Sequence, residues 1–154
     1  MTIDFIKKQI AFENWANKKL IDTLRKIEQP DERVLDLFYH ILSASSIWLD
    51  RAKGNTPTLK LWDKKSLDEC SVLIDSNYLQ WNDYLTMLSE VELSKLISFK
   101  MPNSDIARKI SFADAVTHII NHSSYHRGQI IVKIKGQVET LPLTTYVAFA
   151  SVEE

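Results

Sequence analysis

Apolar residues return at helical spacing along most of the chain. From about Thr2 to Ile27, the positions Ile3, Ile6, Ile10, Trp15, Leu20, Leu24 and Ile27 form one stripe and predict a first helix. Glu28-Gln29-Pro30-Asp31 interrupts it. A second helix is expected from about Asp31 to Lys53, with Val34, Leu37, Phe38, Ile41, Leu42, Ser45, Trp48 and Leu49 on one side and Gly54 just past its end. Residues 55–65 contain Pro57 and read as a loop. Ser66, three residues before Glu69, has the pattern of a capping box and opens a third helix to about Ser89. Residues 90–110 are less regular. Leu96 to Phe99 and Ile106 to Ile110 flank Pro102-Asn103-Ser104-Asp105, which suggests a short hairpin. Ser111 with Asp114 opens a fourth helix that runs to about Lys135 and stops at Gly136. A short capping helix is expected in Leu143 to Ala150.

This pattern predicts one all-α domain over residues 1–154, four amphipathic helices with one β excursion. The brief link at 28–31 argues that the first two helices are antiparallel, while the longer linkers after helices two and three permit parallel neighbours. Composition agrees. With 3 Gly and 4 Pro in 154 residues, the chain has little of the punctuation that a turn-rich β fold needs, and it lacks the glycine loops that hold phosphates. Lys plus Arg number 19 against 20 for Asp plus Glu, so no bulk positive field favours nucleic acid or an anionic membrane. The start, Met1 to Trp15, lacks the apolar stretch of a secretory signal, and a cytoplasmic location is expected. One cysteine, Cys70, offers neither an internal disulfide nor a thiolate zinc cluster, and it reads as a core or boundary residue.

Three of the four histidines, His118, His122 and His126, recur every fourth residue on helix four, a spacing that stacks imidazoles on adjacent turns of one face. Advancing about 100° per residue places His126 about 60° from the centre of that helix's apolar stripe, His122 about 100° and His118 about 140°. A buried metal site would therefore take His122 and His126 and leave His118 at the rim. Two imidazoles do not complete a site, and the remaining histidine, His40, lies on helix two, off its main apolar stripe. The alternative is that these are polar residues at a core boundary. There is no HExxH and no ExxH, which argues against a zincin and against a di-iron carboxylate bundle.

The run His122-Ser-Ser-Tyr-His126-Arg127-Gly128-Gln129 resembles the HxxxHRGQ signature of the DinB-like superfamily of DNA-damage-inducible helical metalloproteins. His40, with Trp48 eight residues later and then Arg51 and Gly54, resembles that family's helix-two pattern. The resemblance spans nearly the whole chain. It implies a four-helix bundle with up-up-down-down connectivity and a divalent metal, most often zinc or nickel, held by His40, His122 and His126. It departs after Pro142, where many members carry Asp and this chain has Leu143-Thr144-Thr145. Relatives include transferases and isomerases that use low-molecular-weight thiols such as bacillithiol and mycothiol. In that chemistry a metal holds the thiol of a cosubstrate as thiolate for attack on an electrophile. The expected function is thus a metal-dependent hydrolase or thiol transferase acting on a small electrophile, with a small-molecule substrate and no nucleic-acid or membrane partner. The competing reading is a non-catalytic, stress-related interaction or dimerisation bundle. A homodimer is compatible with either.

Other residues have two readings each. Arg127 and Gln129 support a metal ligand or bind an anionic substrate, or else are a solvated cation and an interhelical amide. Asp36 and Asp114, each four residues before a histidine, ligate a metal or orient a ligand, or else serve as a first-turn acid and a cap. Trp62, in the loop, packs in the core or lines a pocket or dimer contact.

Overall fold

The computed structural model describes residues 1–152. Four long helices dominate: α1 (Ile3–Leu24), α2 (Glu32–Lys53), α3 (Leu67–Met87) and α4 (Phe112–Ile134). A 3-10 helix (Glu90–Ser94), two strands, β1 (Leu96–Lys100) and β2 (Ala107–Ser111), and a short α5 (Tyr146–Ala150) complete the described elements. The chain is therefore mostly helical with a small antiparallel sheet.

Local chemistry sets the ends. The Thr2 and Asp31 side chains accept from the amides of Phe5 and Arg33 at the starts of α1 and α2. Ser66 and Glu69 form the expected capping box on α3. At the end of α2, Gly54 takes φ of 79°, a left-handed turn that a side chain would resist. α1 ends three residues before the expected Ile27, in a turn where the amides of Lys26 and Ile27 bond to the carbonyls of Thr23 and Leu24.

Side-chain contacts fix the helix directions. Arg25 and Lys18 of α1 pair with Asp68 and Asp75 of α3, so those two helices are antiparallel. Asn77 bonds to the carbonyl of Leu42, Trp81 to Ser45 and Tyr84 to the carbonyl of Ala52, so α2 and α3 are parallel. His40 meets His126 while Trp48 meets His118, which makes α2 and α4 antiparallel. Each of α1 and α2 packs on both α3 and α4, which leaves α1 and α2 at opposite corners.

The course is therefore up, down, down, up, and the up-up-down-down connectivity implied by the resemblance is corrected. The reason is length. The link from Arg25 to Asp31 spans at most about 25 Å, and a return along the 22 residues of α1 would need about 33 Å. A short link can only reverse the chain. The long loop after α2, by contrast, does make a parallel neighbour of α3.

The hairpin is as expected in place, with Ile97 opposite Ile110 and Phe99 opposite Arg108. It is not isolated. Ile97 is buried in the same apolar cluster as Trp48 and Phe112, and the amide of Phe112 donates to the carbonyl of Lys95. α5 covers α1 through Tyr146 and Phe149, whose rings lie 5.2 and 5.7 Å from that of Phe12.

Candidate metal centre

Every residue from Leu37 to Ala44 is buried. A run of that length turns through every face of a helix, so α2 is enclosed on all sides. α3 and α4 cover two of them, and the loop after α2 folds back over a third. Tyr39 Oη donates to the carbonyl of Lys60 at 3.0 Å, and Ser43 Oγ donates to that of Leu61 at 2.8 Å. Trp62 then lies flat on His40, with ring centroids 3.8 Å apart and planes 5° from parallel. The Arg33 guanidinium packs over the same Trp62 ring. His40, which helical periodicity alone placed off the core, is 5% exposed.

Across the α2–α4 interface stand His122 and His126. The ring centroids of the three histidines are 4.5, 4.7 and 4.8 Å apart. One ring nitrogen from each lies within 4.8 Å of the other two. Two nitrogens on a tetrahedral ion at about 2.1 Å stand about 3.4 Å apart, so a pair at the 4.8 Å limit closes by roughly 1.4 Å on binding.

The hydrogen bonds orient the rings. His40 Nδ1 donates to the carbonyl of Leu61 at 3.2 Å, which puts its lone pair on Nε2. His126 Nδ1 donates to Gln129 Oε1 at 2.7 Å, with the same consequence. His40 Nε2 and His122 Nε2 are 2.9 Å apart. Two neutral imidazoles meet at that distance only with a proton between them, and a divalent cation suits the same position. The donor set and its backing bonds fit a metal.

Electrostatics favour the form that ligates. Burial, together with the neighbouring His126 and Arg33, lowers the His40 pKa to about 4 even though its bond to Leu61 opposes the shift. Burial and the other histidines lower that of His122 to about 3. Both rings are neutral at physiological pH, as a metal ligand must be.

The other candidates separate cleanly. His118 is exposed, 5.5 Å from His122 and edge-on to Trp48 at the same distance. It is at the rim, where its angular position placed it. Gln129 supports His126. Arg127 does neither of the things its place in the motif suggested: it is 1% exposed and pairs with Glu13 of α1. Asp114 caps α4 with Ser111. Asp36 is not among the residues that converge on the three rings. Cys70 is buried, and burial pushes its thiol up to about 11. Trp62 lines a pocket. The Leu61 carbonyl and Ser43 had no sequence signal, since a backbone acceptor carries none.

His40 and His122, with His118, line a cleft of about 660 Å3. One wall is α2, with Ala44, Ile47 and Trp48, and the facing wall is the hairpin, with Phe99, Met101 and Ile110. The irregular segment before α4 thus closes the side of the site that the four helices leave open. No helix among the described residues is long and apolar enough to cross a membrane.

The chain is 24% identical over 148 residues to the protein DinB of Bacillus subtilis (strain 168), with 86% of each chain covered. A sequence profile of the DinB family matches residues 7–154, and the chain belongs to that family.

Proposed function

We propose that this chain is a four-helix-bundle metalloprotein in which His40, His122 and His126 hold one divalent ion, zinc or nickel, at the head of the α2–α4 cleft. The observation that carries the reading is the convergence of three imidazole nitrogens from two helices, two of them with the opposite nitrogen already tied to Leu61 and Gln129. Three imidazole nitrogens and an open cleft are the donor set of a catalytic site rather than a closed structural one. An ion bound there supplies Lewis acidity and lowers the pKa of a coordinated water or thiol.

The chain's own groups do the rest. Trp62 shields His40 from bulk water, Leu61 and Gln129 hold two ligands in their metal-binding tautomers, and Trp48 and Phe99 bury the body of a small substrate. His118 stands next to His122 on the cleft wall, placed to accept and return a proton at its imidazole. The reaction we assign is transfer of a water or low-molecular-weight thiol nucleophile onto a small electrophile. Cys70, buried and of raised pKa, is no nucleophile, so the thiol belongs to a cosubstrate.

Elemental analysis of protein purified without chelator, combined with thermal melts in added zinc or nickel, tests this. About one equivalent of metal and a rise in melting temperature that His126→Ala abolishes are expected. Protein that carries no ion, and whose melting temperature zinc and nickel leave unchanged, overturns the reading and favours a non-catalytic interaction module.

A further inference from the structure

The cleft has a second end. α2 presents His40, Ala44, Ile47, Trp48 and Arg51 to it, the spacing of a single helical face. His40 stands at one end of this row and Arg51 three turns on, about 16 Å along the axis. Between them the floor is apolar.

Arg51 is the unexplained group. Its guanidinium carbon lies 4.8 Å from the centroid of the Trp48 ring and 5.9 Å from that of Phe99. Burial lowers its pKa, and no acidic neighbour offsets the shift. Among the described residues no carboxylate pairs with it, and no acidic side chain lines the cleft. A guanidinium has five N–H donors and keeps its charge. Held by aromatic faces, it leaves those donors for something that enters the cleft. Lys100 on the hairpin adds a second positive charge, with only a loose, exposed contact of 3.9 Å to Asp105. The contrast with Arg127 is informative. There the chain buries a guanidinium and pairs its two terminal nitrogens with Glu13, Asn17 and Ser124. At Arg51 it supplies no such partner.

We propose that Arg51, assisted by Lys100, binds the carboxylate of an elongated apolar acid. The acid's body lies on Ala44, Ile47 and Trp48, and its far end reaches His40 and His122. The inference rests on the metal-centre reading only for which end of the ligand reacts.

The probes are octanoate and its neutral counterpart octanamide, titrated by calorimetry into the full chain, once stripped of metal with EDTA and once loaded with zinc. Octanoate is expected to bind at least about tenfold more tightly than octanamide in both forms. Arg51→Gln is expected to bring the two probes within about twofold of each other, with Lys100→Gln giving a smaller loss. Arg51→Met, which keeps the stem's packing on Trp48, repeats the measurement should the Gln variant fail to fold.

Equal binding of the two probes by the unaltered chain overturns the proposal. So does a preference that survives in the folded Arg51 variants. A preference confined to zinc-loaded protein, and indifferent to Arg51, assigns the carboxylate to the metal and also overturns it. Failure of zinc to bind counts against the metal centre alone, because the metal-free titrations still decide the role of Arg51.

Discussion

Arg127 follows His126 in sequence, yet its guanidinium turns away from the histidines and grips Glu13 of α1 through two hydrogen bonds of 2.8 and 2.9 Å. Successive residues on a helix point about 100° apart, so one faces the cleft and the next the core. The pair ties α1 to α4, the helix that carries two of the three histidines. Removing one partner leaves a buried charge unpaired. Arg127→Met is therefore expected to cost about 3–5 kcal/mol in urea unfolding. The double change Arg127→Met with Glu13→Leu should cost less than the sum of the singles, since neither charge is then stranded. Strict additivity of the two changes would show that the pair does not couple these helices.

Gln129 accepts from His126 Nδ1 and sets which nitrogen faces the ion. Gln129→Leu is expected to weaken zinc affinity by about 10–100-fold while the helical dichroism stays as it was. His118→Ala, at the rim, should leave affinity within about twofold. A calorimetric titration in which His118→Ala loses more than Gln129→Leu would reassign the ligand set.

Proton linkage gives metal-free protein a characteristic pH dependence. The His40 and His122 pKa values fall to about 4 and about 3 in the folded chain, below the ordinary 6.5. Between about 6.5 and 3 the unfolded chain takes up protons that the folded chain refuses, so stability is complete above that window and declines as pH falls through it. Urea melts in EDTA at a series of pH values check this against a His40→Gln, His122→Gln variant, whose profile should be flatter. Parallel profiles would mean that the two rings are not held neutral by the fold.

Trp62 is the lid on His40. Trp62→Ala admits water to the ring, and the His40 pKa is expected to rise from about 4 toward its ordinary value. An NMR titration of the imidazole C–H resonances reads this directly. An unmoved midpoint would mean that α2 and α4 alone exclude the solvent.

Cys70 should react slowly with a maleimide in native protein and rapidly in urea, because the thiol is buried and its pKa is about 11. Fast native labelling would reopen the question of a protein-borne nucleophile.

Much of this molecule was legible from residue order. The stripes of α1 to α4, the caps at Ser66 and Ser111, the stop at Gly54 and the hairpin before α4 are local effects, encoded within a few residues of where they act. The angular ranking of His126, His122 and His118 on α4 followed for the same reason, because the geometry of a single helix is known in advance. Tertiary structure alone decided the rest. It buried His40, because a loop some twenty residues downstream returns to cover it with Trp62 and to accept its proton at Leu61. It turned Arg127 inward to Glu13, a partner 114 positions away. It set α1 and α2 at opposite corners and ran the chain up, down, down, up. Short-range propensity carries no information about which distant surface a face will meet, and the centre depends on two such meetings: α2 with α4, and α2 with its own loop.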